Sequence, residues 1–225
     1  MYIYLGTLTL HENLFYATRE IGRLYETGRY LHNYALTYAL ELAVAPYFHS
    51  EQMPRYAEQL TPLNERGIYV TPARATAVSY VLNTFKYASN LYHVEMLKGR
   101  LNTPSFGRAK ELAVESQFQF AVLSASERLS LPSWVRLGLW RSKAHIDWET
   151  LEATHQGEEL RETSLPINPL DLPTNQCAAF DLISMPPSSL LDYVTVRSEW
   201  WVADTSRGRF YIPDGLAYTF PEGVA

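Results

Sequence analysis

A single cysteine in 225 residues, Cys177, excludes an intramolecular disulfide and any zinc site built from several thiolates. It reads as a small buried apolar group in a reducing compartment. Glycine is scarce, at 11 residues, and no phosphate-cradling glycine loop occurs; HExxH, CxxC, GxSxG and GxGxxG are missing as well. The six histidines, at 11, 32, 49, 93, 145 and 155, lack metal-ligand spacing, so neither a metal nor a cofactor is expected. No uncharged run is long enough to span a bilayer, and "MYIYLGTLTL" lacks the basic flank and continuous apolar run of a signal peptide. A soluble, cytoplasmic chain without membrane contact is expected.

What is present suits one large domain: 47% of the residues are hydrophobic and the formal net charge is -5. The charge is divided. Residues 1–146 carry 15 Lys and Arg against 11 Asp and Glu, a net of +4, whereas residues 147–225 carry 4 against 13, a net of -9. Within 66–146 the balance is 11 cations against 4 anions, which directs the search for a polyanion there.

The periodicities alternate between strand and helix. "YIYLGTLTLH" reads as a strand that Gly6 weakens, and "ENLFYATREIGRLYETGRY" as a polar, aromatic-rich connection. Leu31, Tyr34, Ala35, Tyr38, Leu42 and Ala43 recur at helical spacing until Pro46, which predicts a helix with Tyr34 and Tyr38 on its packed face. "GIYVTPA", "VSYVLNTFKYA" and "SQFQFAVLS" read as strands, interrupted by a basic, irregular insertion, "SNLYHVEMLKGRLNTPSFGRAKEL". "WVRLGLWRSKA" reads as a further strand, with Val135, Leu137 and Leu139 on one face and Arg136, Gly138 and Trp140 on the other. The acidic "IDWETLEATHQGEELRE" has no assigned structure, and short strands and loops follow it. The pattern is α+β with an antiparallel sheet.

Cations interleaved with aromatic rings are the strongest chemical signal, because cations neutralise phosphates and π-faces stack on unpaired bases. Three stretches carry it. The first alternates Arg19, Arg23 and Arg29 with Tyr16, Tyr25 and Tyr30; the second runs from Lys86 and Tyr87 through Arg100 to Arg108 and Lys110. The third holds Arg136, Gly138, Trp140, Arg141 and Lys143, with Gly138 expected to admit a sugar-phosphate backbone. His145 beside Lys143 keeps open a metal-free endoribonuclease, and a purely structural adaptor that binds only proteins is a further alternative.

"ATREIGRLYETGRYLHNYALTYAL", "PSFGRAKELA" and "VRLGLWRSK" resemble the Cas-five-type subunit of type I-D CRISPR interference complexes, the Csc-one family. The likeness runs with gaps from residue 2 to about 148, and the acidic C-terminal third adds nothing specific to it. The resemblance implies a single repeat-associated RNA-binding protein domain over 1–225, built on a ferredoxin-like, RRM-like core. It implies a thumb-like insertion at 88–112 and leaves 147–225 as an acidic, irregular β-rich extension. It also implies a non-catalytic subunit, without cofactor or metal, that caps the 5′ handle of the CRISPR RNA beside the backbone and large subunits. Contact with target DNA near the protospacer-adjacent motif is left open. The RNA-binding candidates are Tyr16, Arg19, Arg23, Lys86, Tyr87, Arg100, Arg108, Lys110, Arg136, Gly138, Trp140, Arg141 and Lys143.

Overall fold

β1 (Tyr2–Leu10), paired along both edges and buried over most of its length, is the centre of the protein. The computed structural model describes residues 1–45, 54–86, 106–173, 177–206 and 208–220. After β1 come β2 (Arg19–Ile21), β3 (Leu24–Glu26), β4 (Tyr30–Leu31) and the helices α1 (Asn33–Ala39), α2 (Tyr56–Leu60) and α3 (Pro62–Glu65). The chain continues through β5 (Ile68–Val70), β6 (Ala73–Ala77), β7 (Tyr80–Lys86), β8 (Phe106–Leu112), β9 (Gln117–Ser124) and β10 (Trp134–Leu137). It ends with β11 (Ser142–Glu152), β12 (Thr154–Glu162), β13 (Cys177–Ile183), β14 (Leu190–Thr205) and β15 (Gly208–Pro213).

The main sheet has seven strands in the order β10-β11-β1-β9-β6-β4, with β5 also against β9. β5 and β6 form one edge broken at Pro72. Thr71 spans the break: its N–H donates to the Ala121 carbonyl and its Oγ1 accepts from the Ala121 N–H, both at 2.9 Å. Across the sheet, β11, β1, β9 and the β5–β6 edge stand fourth, first, third and second in chain order, every neighbour antiparallel. That is ferredoxin-like connectivity. α1 lies in the first crossover, whereas the second, residues 125–141, carries β10 in place of a helix. Gly6 is no weak point here. Phe120 and Trp148, its partners on either side, meet edge to face at 5.4 Å, and a Cβ on Gly6 would come within 2.8 Å of both rings.

One face of this sheet is apolar throughout its β10 end: Leu8, Leu10, Phe118, Phe120, Val135, Leu137, Ala144 and Ile146 are all buried. α1 is shorter than its periodicity predicts. Leu40 caps it and Glu41 turns left-handed at φ 59°, which ends the helix well before Pro46. Tyr34 is buried and Tyr38 packs on the core, as expected for that face. At the N-terminal end of α1, His32 Nδ1 accepts from the Tyr34 N–H at 3.2 Å, and burial pulls the imidazole pKa down to about 4.

The C-terminal third departs from the expected short strands. β14 is 16 residues long, pairs with β12 along one side, and takes β13 and then β15 along the other. The acidic stretch without assigned structure forms the second part of β11 and all of β12, and residue 147 lies inside β11. Ala203, Phe210, Ile212 and Tyr218 belong to the same core as β1 and β9. Cys177 is half-buried beside the Leu191–Trp200 cluster, and that burial raises its thiol pKa. The insertion read as irregular ends in strand β8; its residues 89–105 lie outside the described residues.

A buried polar knot ties the C-terminal segment to α1 and β5. Asp171 accepts from Asn33 Nδ2 and the Tyr69 hydroxyl, both at 2.9 Å, and from the Thr219 N–H at 3.1 Å. Burial outweighs these donors and pushes the Asp171 carboxyl up from 3.8 to about 7. The folded state therefore holds this proton more tightly than the unfolded chain. The contribution of Asp171 to stability is greatest below about pH 4 and falls by roughly 4 kcal/mol as pH rises to about 7. Thermal melts from pH 4 to 8 should show that part of the slope vanishing in Asp171→Asn; parallel profiles would refute it.

Candidate nucleic-acid interface

The first two basic stretches, far apart in sequence, fold into one small sheet. Its order is β2-β3-β8-β7, with β3 parallel to β8 and the other pairs antiparallel. β7 and the β2–β3 hairpin are exposed or half-exposed along most of their length, so this sheet projects from the core. Register sorts its charges. Arg19 stands opposite Glu26, Glu26 opposite Lys110, and Lys110 opposite Leu82; in the next row stand Ile21, Leu24, Arg108 and Thr84. Paired residues share a face, so Arg19, Arg108 and Lys110 lie on one side with Glu26 as their single anion. Glu20 and the buried Glu111 lie on the other side, where Asn83 Nδ2 donates to Glu111.

Lys110 is partly engaged, 3.4 Å from Glu26 Oε1 and 4.3 Å from the Tyr80 ring centroid. Arg19 and Arg108 are exposed and make no ion pair among the described residues, which leaves both guanidinium groups free for phosphate. Arg23 caps the β2–β3 turn, its carbonyl accepting from the Arg108 N–H at 2.7 Å. Lys86 ends β7 opposite Phe106, so the segment between them leaves and returns at one end of the sheet. Tyr87 and Arg100 lie outside the described residues.

The tyrosines of the first stretch behave differently from its arginines. Tyr16 donates its hydroxyl to the carbonyls of Gly28, at 3.1 Å, and Tyr30, and its ring packs on the core. Tyr30 is buried with its hydroxyl on Asp192 Oδ2 at 2.8 Å. Tyr25 is half-buried against Phe85. The alternation of Arg and Tyr therefore separates cations facing solvent from rings facing protein.

The third stretch is a hairpin of β10 and β11 at the edge of the main sheet, and its alternation stops at Leu137. Gly138 has φ 71°, in the left-handed region, and Arg141 has φ 56°, so residues 138–141 form the turn. Leu139 is accordingly 71% exposed rather than packed with Val135 and Leu137. Gly138 does not open toward a ligand. A Cβ there would meet Leu14 Cδ1 at 2.5 Å and the Phe15 carbonyl oxygen at 2.6 Å, so the backbone that approaches it closely is the chain's own. Trp140 stacks on Phe15 at 4.9 Å with the ring planes 27° apart, and supports this turn.

Register places Trp134 opposite His145 and Arg136 opposite Lys143, all on the face that α1 does not cover. Thr7, Thr9, Gln117, Gln119 and Asp147 continue that face, and none of them is buried. Lys143 Nζ sits 4.1 Å from the centroid of the Trp134 ring, and Arg136 Nη1 donates to the Arg141 carbonyl at 3.0 Å. Trp134 and His11 were not singled out from sequence. The same alternation that grouped Arg136 with Trp140 includes Trp134, whereas only the register brings in His11. The two basic regions flank one segment: Leu14 bridges to Leu112 at the base of the projecting sheet, and the Phe15 carbonyl accepts from Leu139.

Two other places are chemically different. A cavity of about 590 Å³ lies between α1, α2, the end of β10 and Met185–Pro187, and among the described residues no Asp, Glu, Lys or Arg lines it. Its His32 is bonded to Ser188 at 2.9 Å, and Tyr38 donates to Gln59, so its walls are apolar and unsuited to phosphate. On the C-terminal sheet, His155, Glu199 and Asp214 gather ligand-type atoms within 4.8 Å although they are distant in sequence. His155 Nε2 lies 3.5 Å from Glu199 and 3.2 Å from Asp214, with His155 and Glu199 exposed and Asp214 half-buried. Among the described residues no helix is long and apolar enough to cross a membrane.

Residues 1–221 match the family described as type I-D CRISPR-associated protein Cas5/Csc1. The match continues well past residue 148, where the sequence resemblance was expected to end, and includes nearly all of the acidic third, in keeping with its place in the shared core. No curated protein matches the chain.

Proposed function

Because the chain belongs to the Cas5/Csc1 family of type I-D CRISPR systems, we propose that it seats the 5′ handle of the CRISPR RNA on its projecting sheet. Family membership makes it a non-catalytic CRISPR RNA-binding subunit of a multisubunit interference complex. The handle as the segment bound, and the backbone and large subunits as its neighbours, are our reading. The observation that carries it is the segregation of Arg19, Arg108 and Lys110 onto one face, with two of the three sheet carboxylates on the other. Single-stranded RNA needs cations spaced along a path and room to lie on them.

The experiment is a ribonuclease footprint of the assembled complex with and without this subunit. Handle nucleotides should be protected only when it is present, and spacer protection should be unchanged. Equal handle protection in its absence would overturn the reading.

A further inference from the structure

Trp134 stands on the edge strand β10 and remains 45% exposed, although it contacts three other side chains. His11 approaches the indole edge-on at 4.9 Å and 64°, and His145 does so at 4.7 Å and 65°. The two imidazoles are themselves 6.3 Å apart, so they support the ring from two sides. Lys143 lies over the π-face at 4.1 Å, and Arg136 shares the same sheet face. The acidic groups facing this cluster are Asp147, 3.6 Å from His145, and Glu12, whose carboxylate accepts from the Lys143 N–H at 2.8 Å.

Fold stability gives little reason for this arrangement. An indole on an edge strand, half in water and surrounded by side chains that the core does not require, is a ring held in place. The charges beside it select the ligand: Lys143, Arg136 and, in the adjoining turn, Arg141 favour a polyanion. A polyanion that offers π-faces is a single-stranded nucleic acid.

We infer that Trp134, braced by His11 and His145, is a stacking platform for one unpaired nucleobase, with Lys143 and Arg136 holding the flanking phosphates. This rests on the reading of the chain as an RNA-binding subunit, and adds a second RNA contact, separate from the projecting sheet. The flexible Lys143 stem lets its ammonium leave the ring face for a phosphate when a base takes its place. Trp140, stacked on Phe15, supports the neighbouring turn instead.

The test is an abasic scan with the full-length protein. Fluorescently labelled single-stranded RNA of the handle sequence is compared with versions that each lack one base, using wild type, Trp134→Ala and Trp134→Phe, each first shown by thermal melt to be folded. One position should stand out, with wild-type affinity falling roughly five- to a hundred-fold. Trp134→Ala should lose the same factor on intact RNA, lose nothing more at that abasic position, and keep the wild-type salt slope; Trp134→Phe should retain most of the affinity. A flat scan, or penalties that multiply independently, with salt-dependent binding intact, would overturn the stacking site and leave the RNA-binding reading standing. Absence of salt-dependent RNA binding would overturn both.

Discussion

Arg74→Ala is expected to cost about 3 to 5 kcal/mol of folding stability, the range for breaking a buried ion pair. Arg74, on β6 of the main sheet, places Nη1 2.9 Å from Asp192 Oδ1 on β14, and its Nη2 donates to the Ser164 carbonyl at 3.2 Å. Asp192 is fully buried, whereas the Arg74 side chain is 27% exposed. Without Arg74 the buried carboxylate keeps the Tyr30 hydroxyl and the Tyr193 N–H as its donors among the described residues. Asp192→Ala should cost less, because the stranded guanidinium can turn to solvent. Arg74→Met combined with Asp192→Leu should recover most of the loss, since an apolar pair of similar volume often equals a buried salt bridge. Urea melts of the three variants decide the matter. Equal losses in both single variants, with no recovery in the double, would show that this contact is not what docks β14 on the core.

That ion pair also marks where sequence reading runs out. β1, β5 and β9 were legible because each is a short run rich in apolar, aromatic and β-branched residues, which marks a strand even where both faces are buried. α1 was legible in its centre and not at its end, because a left-handed residue at Glu41 leaves no apolar signature. β2 and β3 are three residues each, with no buried face, so no period exists to be read. Arg19, Arg23, Arg108 and Lys110 were recognisable as basic residues among aromatic ones, yet their meeting on one sheet depends on the parallel pairing of β3 with β8, across more than eighty residues of chain. Gly138 shows the opposite error: a glycine in a basic strand suggests access for a ligand, while its actual neighbours, Leu14 and Phe15, are visible only in three dimensions.

Charge reversal on the projecting sheet should have the largest effect on function. Arg19→Glu with Arg108→Glu turns the set of Arg19, Arg108, Lys110 and Glu26 from three cations and one anion into one cation and three anions. Both side chains are exposed and neither has an ion-pair partner among the described residues, so the fold should tolerate the change, with thermal melts close to wild type. Removing two phosphate contacts from a single-stranded ligand should reduce the slope of log affinity against log salt by about 1.4, at about 0.7 per contact. Affinity for handle RNA near physiological salt should fall roughly ten- to a hundred-fold, since lost counterion release is joined by repulsion within a Debye length of about 8 Å. Arg197→Glu with Arg209→Glu, on β14 and β15, is the matched control: equal in charge and placed on the acidic sheet. If handle binding depended only on net charge, both pairs would weaken it alike. A response confined to Arg19 and Arg108 requires a path for the phosphates along that face, and an unchanged salt slope in that pair would mean that no phosphate lies there.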